Sequence, residues 1–291
     1  MIIVLTGATG SGKSKMAISL AKKLDAVIIN ADAFQVYEEL SIATALPSEE
    51  ERMEVPHFLF SFVPLNEGYN VAEYQKDLRA MLAEFAQRKK NVIIAGGTGL
   101  YIRAGLYDYR FQEEEEKMDM STYENFSNED LHAVLKRLDP VSAEKIHPNN
   151  RQRVLRAIEI CLRGGKAKSE LEQEQTHAPI YEARFFGIAS ERQSLYERVN
   201  ARVEEMFEQG LIEENRRLVE KYGRDVPAFR AIGVKECFPY FDGKATLEET
   251  KELIKKNTRN YVKRQDTFFR HQFDIEWIER EEEILEALKL G

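Results

Sequence analysis

Cysteine is nearly absent from this sequence. Cys161 and Cys237 are the two in 291 residues, both in apolar helical contexts, with no CxxC pair and no His/Cys ligand spacing. That excludes a disulfide framework and a cysteine-rich metal site, and leaves two reduced packing residues. No apolar run approaches the length of a membrane span, so no membrane partner is expected. The chain begins directly with a strand pattern, so no signal peptide is expected before it. These absences predict a soluble, cytoplasmic protein. No internal repeat is present. The Asn-Lys-x-Asp motif that reads guanine is missing as well, which argues against a nucleotide-switch module.

An apolar fraction of 43% supports a real core, large enough for one domain with an insertion. The net charge of −8 would argue against a nucleic-acid partner if it were evenly spread. It is not. Residues 111–130 carry eight acids against Lys117 alone, and read as a solvated surface or loop. Arg151 to Lys168 has six basic residues against Glu159, and Lys251 to Arg270 has seven against Glu252 and Asp266. Local patches of this kind decide which anions are attracted.

What is present begins with Gly7-Ala8-Thr9-Gly10-Ser11-Gly12-Lys13-Ser14. It follows the strand-sized apolar run Ile2–Leu5 and precedes a helical pattern over Lys15–Leu24. Strand, glycine loop and helix together make G-x-x-x-x-G-K-[ST] a phosphate-binding loop rather than a chance turn. Glycine lets several N–H groups converge on one anion. The helix N-terminus adds its dipole, Lys13 adds a full charge, and Ser14 offers a hydroxyl to Mg2+. The ligand is a diphosphate or triphosphate, ATP and other nucleotides included.

A second strand, Ala26–Ile29, ends in Asn30-Ala31-Asp32. The carboxyl edge of an open parallel sheet is its ligand crevice, which places Asp32 near the phosphate loop. Taken alone, Asp32 could equally cap the short helix or turn expected over Phe34–Leu40. The apolar stretch His57–Val63 is a third strand candidate, with His57 at its end. Asn70 caps a helix over Val71–Arg88, and Asn91–Ala95 is the next strand. It runs into Gly96-Gly97-Thr98-Gly99-Leu100-Tyr101, a second glycine turn that presents the Thr98 hydroxyl to the same crevice. No acid ends that strand, unlike the metal-binding strand of P-loop hydrolases. Helices follow over Ser127–Leu138, to Ile146, over Asn150–Leu162 and over Lys166–Gln175, with Arg153 and Arg156 spaced to reach one surface. Arg184–Ala189 returns to strand. Helices over Arg192–Gln209, Ile212–Tyr222, Val234–Phe241 and Thr246–His271, a strand over Phe273–Ile278 and a last helix complete the chain. The order predicts an α/β fold: a P-loop NTPase-like parallel sheet flanked by helices, with a small helical insertion. The core spans 1–110 and 180–291, and the insertion spans 111–179.

Several motifs resemble tRNA dimethylallyltransferases, the IPP transferase family. They are the phosphate loop, Asn30–Tyr37, Gly96–Tyr101, Ile146–Ala157, Phe229–Glu236 and Thr258–Gln265. They recur in order to about residue 272. The resemblance implies transfer of a dimethylallyl group from dimethylallyl diphosphate to N6 of the adenine 3′ of the anticodon in tRNA. Asp32 would be the general base, and Lys13, Ser14, Thr98 and Arg202 would hold the diphosphate, with Thr98 and Arg202 counted as catalytic. Asp32, Ala33, Phe34 and Gln35 would face the target nucleotide. Gln152, Arg153, Val154, Leu155 and Arg156 would touch the anticodon stem-loop, and the helix with Arg259, Lys263, Arg264 and Gln265 would add phosphate or site contacts. The target base would be flipped into the site. A monomer is expected.

The sequence departs from the family pattern at Ala33 (usually serine), Ala43 (glycine), Leu46 (lysine), Val234 (tyrosine), Asp266 (an apolar residue) and Phe268 (tryptophan). The acidic segment also lacks the family's usual pattern after Leu106. Two alternatives stay open: a prenyltransferase acting on free adenine nucleotides, and a P-loop small-molecule kinase.

Overall fold

A computed structural model describes residues 1–111 and 118–289. Most of the acid-rich run at 113–116 lies outside the described residues. The chain falls into two compact units: Met1–Leu106 with Tyr181–Gly291, and Tyr107–Ile180.

The first unit is built on β1 (Ile2–Thr6), β2 (Ala26–Asn30), β3 (His57–Phe58), β4 (Asn91–Ala95), β5 (Ala183–Ile188) and β6 (Glu276–Ile278). The order across the sheet is β3-β2-β4-β1-β5-β6, and every pairing is parallel. Helices α1 (Lys13–Leu24), α2 (Glu49–Glu54), α3 (Val71–Gln87) and α4 (Gly99–Leu106) supply crossovers. Parallel strands covered on both faces should be apolar throughout, and Ile3, Val4, Leu5, Ile29, Ile93 and Ile94 are fully buried.

Register places the site. Leu5 and Asn30 both pair with Ala95, so β1, β2 and β4 end together. The loops leaving those ends are the phosphate loop, Ala31-Asp32 and Gly96-Gly97. Ala31 donates to the Ala95 carbonyl (2.9 Å), and Thr98 donates to the Ala31 carbonyl (2.9 Å). A Cβ on Gly96 would lie 2.2 Å from the Ala31 carbonyl, so this approach requires glycine.

Two segments differ from the sequence expectation, and one alternative is settled. β3 stops after Phe58, because Leu59 (φ 61°) and Ser61 (φ 48°) take left-handed backbone. Phe34–Leu40, expected as a short helix or turn, is the turn, tied down by a bridge between Tyr37 and Val63. Val234–Phe241 is a 3-10 turn followed by a four-residue helix, with Pro239 unable to donate into a longer helix. Helix α2, capped at Ser48 by a capping box, had no apolar periodicity to announce it.

The second unit contains α5 (Asn128–Leu138), α6 (Pro140–Lys145), α7 (Arg151–Gly164) and α8 (Lys168–Gln173). Leu131, Leu135, Val154, Ala157 and Ile158 form its core. Asp139 caps α6 through Ser142 N–H (2.9 Å) and ties in α8 through Ser169 N–H (2.9 Å) and Oγ (2.7 Å). The first unit resumes with α9 (Arg192–Glu208), α10 (Leu211–Tyr222), α11 (Phe238–Phe241), α12 (Leu247–Gln272) and α13 (Glu281–Lys289). Cys161 and Cys237 are buried free thiols.

Candidate active site

The phosphate loop takes the shape its glycines allow. Gly10 (φ 82°) and Gly12 (φ 92°) occupy left-handed backbone that other residues rarely adopt. Lys13 folds back, and its Nζ donates to the carbonyls of Gly7 (2.7 Å) and Ala8 (2.8 Å). Burial and the neighbouring Arg202 charge pull its pKa down to about 8, although Asp32 opposes them. The ammonium is therefore under-compensated, which favours an incoming anion. Ser11 Oγ is buried with no partner among the described residues, and Ser14 is exposed at the start of α1. Outside the loop, Arg198 Nε on α9 donates to Gly10 O (2.9 Å).

Asp32 is held from behind. Asn30 is fully buried, and its Oδ1 accepts Asp32 N–H (2.8 Å). Asn30 Nδ2 donates to Asp32 O (2.9 Å) and Leu59 O (2.9 Å). Asp32 Oδ1 accepts Phe34 N–H (3.0 Å). Oδ2 faces Gly97, 3.9 Å from the point a Cβ would occupy there. The carboxylate lies within electrostatic reach of Lys13, Arg202, Tyr101 and Tyr261. Burial lowers the Arg202 pKa, opposed by Asp32 and Glu205. One carboxylate thus stands among two half-buried cations beside a phosphate loop.

Thr98 Oγ1 accepts the N–H of Ala33 (3.0 Å), so the second glycine turn holds the residue next to Asp32. Gln35 is committed elsewhere. Its Nε2 donates to Thr44 O (3.1 Å) and Ala45 O (3.1 Å), leaving only Oε1 for a base edge. Phe34 is half-buried against the helical core of this unit.

Helix α12 contributes Tyr261, to which the sequence reading gave no role, and Gln265, which the resemblance tied to phosphate or site contacts. Tyr261 reaches Thr98 and Gln265, and burial, helped by Asp32, pushes its phenol up to about 12. Gln265 Oε1 accepts Thr9 N–H (3.0 Å), and its Nε2 donates to Gly97 O (3.0 Å). Arg259 pairs with Asn200 (2.6 Å), Arg264 stacks over the Tyr261 ring, and Lys263 is exposed. Gln265 stands in the buried stripe of α12 with Thr250, Ile254, Val262 and Phe269.

The departures have structural places. Ala43 N–H donates to buried Glu214 (3.1 Å), Val234 is fully buried, Asp266 pairs with Arg270 (2.8 Å), and Phe268 covers Gly99.

In the helical unit, Gln152, Arg153 and Arg156 are exposed on α7. Arg156 pairs with Glu159 (2.9 Å). Val154 is fully buried and Leu155 packs against the same core. The side chain of Val154 therefore cannot meet RNA, because it lies on the apolar face of an amphipathic helix. Arg151 is a clamp on its own unit, donating to the carbonyls of Tyr123, Glu124 and Phe126.

The IPP transferase family profile matches residues 35–272. The chain belongs to the IPP transferase family. It is 44% identical over 279 residues to the tRNA dimethylallyltransferase of Anoxybacillus flavithermus, covering 96% of this chain and 90% of that one. The Bacillus subtilis enzyme of the same name is 42% identical over 284 residues, with the same coverage. Among solved structures, the Staphylococcus epidermidis tRNA delta(2)-isopentenylpyrophosphate transferase superposes with a TM-score of 0.75 at 35% identity, covering 100% of this chain and 99% of that one. A eukaryotic dimethylallyltransferase acting on tRNA superposes at 0.80 with 31% identity, covering 92% of this chain and 69% of the other. Among the described residues, no group of three or more His, Cys, Asp or Glu could hold a metal, and no helix is long and apolar enough to cross a membrane.

Proposed function

We propose that this IPP transferase moves a dimethylallyl group from dimethylallyl diphosphate to N6 of the adenine 3′-adjacent to the tRNA anticodon, releasing diphosphate. The observation that carries this reading is Asp32, a carboxylate fixed by Asn30 within the field of Lys13 and Arg202. An exocyclic amine is a poor nucleophile, so it needs a base in hydrogen-bonding reach. As the N6–C bond forms, the allylic C–O bond breaks and its electron pair leaves with the diphosphate. Asp32 takes the N6 proton. Gly7, Ala8, Thr9, Gly10, Ser11, Gly12, Lys13 and Ser14 hold the diphosphate with Arg202. Their fixed dipoles and charges stabilise the negative charge that develops on it.

Thr98 keeps Ala33 and Asp32 in place, and Ala33, Phe34 and Gln35 form the turn that the target nucleotide meets. Magnesium fits this donor set as an ion held mainly by substrate oxygens plus the Ser14 hydroxyl, and it would neutralise the leaving group. Gln152, Arg153 and Arg156 are the groups of the helical unit offered to the anticodon stem-loop, read by shape and charge. The enzyme acts as a cytoplasmic monomer.

The test is transfer of label from dimethylallyl diphosphate, with magnesium, into unmodified tRNA and into AMP in parallel. Label in tRNA alone is the expected result. Label in AMP would reassign the substrate to free nucleotides. Label in neither would overturn prenyl transfer and call for a phosphoryl-transfer assay with ATP.

A further inference from the structure

Gln265 lies on the longest helix of the protein, with only 3% of its surface exposed, in a buried stripe shared with Thr250, Ile254, Val262 and Phe269. A buried primary amide in apolar surroundings is costly unless both of its ends find partners. Both do, and the partners belong to different loops. Oε1 takes the N–H of Thr9 in the phosphate loop (3.0 Å), and Nε2 gives a hydrogen to the Gly97 carbonyl in the second glycine turn (3.0 Å). The fit is close enough to dictate its neighbour. A Cβ on Gly97 would fall 2.1 Å from Gln265 Nε2, so any side chain there would expel the amide.

Each loop leads to one half of the reaction. Thr9 precedes the turn that carries Lys13, whose Nζ rests on the Gly7 and Ala8 carbonyls. Gly97 precedes Thr98, whose hydroxyl holds Ala33 N–H beside Asp32 (3.0 Å). Displacement at carbon needs the leaving group and the attacking amine on opposite sides at a set separation, and small errors in that separation are expensive. We infer that Gln265 is a positioning residue: by bonding Thr9 and Gly97 at once, it sets the spacing between the diphosphate-holding loop and the base-holding turn. The inference rests on the proposed prenyl transfer. It assigns a step-specific role to a residue whose amide bonds the backbone of both loops.

The role separates from simple packing by what it spares. In Gln265→Leu, the single-turnover rate of dimethylallyl transfer to tRNA should fall about 10–100-fold, while the Kd for dimethylallyl diphosphate moves less than about 3-fold. Amide exchange at Thr9 should accelerate at least about tenfold, since its acceptor is gone. Gln265→Glu supplies a second readout. As a neutral acid it offers one donor and one acceptor and can make both bonds; as a carboxylate it cannot donate to Gly97 O.

Its rate relative to the wild type should therefore rise as pH is lowered from about 8 to about 5.5. Asp32, Lys13, Arg202 and Tyr261 surround these loops and titrate or carry charge in both proteins, so the ratio to wild type removes their part. An unchanged rate in Gln265→Leu, unchanged Thr9 exchange, a loss of affinity equal to the loss of rate, or a flat Gln265→Glu ratio would each overturn the role. A wild-type protein that transfers no label would instead overturn the underlying reading. A wild type that transfers normally beside an unaffected variant would overturn the role of Gln265 alone.

Discussion

In the helical unit, the buried carboxylate of Asp139 receives three hydrogen bonds, from Ser142 N–H and from the N–H and Oγ of Ser169. Burial alone would raise its pKa, but the bonds from Ser142 and Ser169 outweigh that and bring it to about 2. In the sheet unit, Lys13 and Arg202 are also withdrawn from water, and there burial prevails and lowers both pKa values. Lys13 is left with loop carbonyls for company, and both cations share the field of Asp32. The same physical expense serves different ends. A buried charge fully met by its own fold stabilises that fold, and one left under-compensated at a glycine loop is poised for a ligand.

The sharpest way to break this contrast is at Asp32. Asp32→Asn keeps the shape but removes the proton acceptor, and turnover should fall about 10²–10⁴-fold while affinity for dimethylallyl diphosphate stays within about 3-fold. Near-normal single-turnover rates would take the base role away from Asp32. Lys13 comes next. Lys13→Ala removes a charge-assisted donor, and calorimetry should show diphosphate affinity reduced about 10–100-fold.

Its titration gives a further check. Between about 8 and the ordinary 10.5, the unfolded chain holds more protons on Lys13 than the folded one. The unliganded protein therefore gains stability from this group as pH rises through that window, whereas diphosphate binding weakens above about pH 8 and takes up a proton there. Affinity that is flat from pH 7 to pH 9 would mean that the lysine is not under-compensated.

The helical unit should respond in the opposite sense. Asp139 has a depressed pKa, so its contribution is complete above the unfolded value of 3.8 and is lost as pH falls through about 2. That difference corresponds to on the order of 2 kcal/mol. Asp139→Asn should flatten the acid unfolding of α5–α8, followed by helix signals from residues in this unit, without altering diphosphate affinity. The smallest effect is at the surface. Arg153→Ala should weaken tRNA binding and reduce the salt slope by about 1. An unchanged slope would place Arg153 off the RNA path.

Much of the sheet unit was legible because strand ends and glycine loops follow local rules. An apolar run of strand length, a glycine turn and a helix leave few alternatives, and a parallel sheet puts all such turns on one edge. Lys13, Asp32 and Thr98 are therefore brought to one place by topology that the sequence already implies. Side-chain commitments were less legible. Gln35 was expected to face the target nucleotide, yet its amide donors are bound to Thr44 and Ala45, a contact between loop residues that no periodicity encodes. Val154 stood within a motif tied to RNA by resemblance, but helical spacing turns it into the core of its own unit. The length of β3 was misjudged because positive φ at Leu59 and Ser61 is imposed by the surrounding packing, against the preference of those residues.

By itself, then, the sequence pointed to the ligand class and to the sheet edge proposed for the chemistry, since both follow from short-range geometry: glycine conformations, strand length and the position of a lysine. The change from buried strands to amphipathic helices also pointed to a sheet part and a helical part. Only the tertiary structure decided that Asn30 fixes Asp32, that Arg202 shares its field with Lys13, and that Gln265 joins Thr9 to Gly97. Asn30 is only two residues from Asp32, and the other contacts join residues far apart in the chain. They exist because burial forces each polar group to find a partner in space, and distance along the sequence places no limit on where that partner comes from.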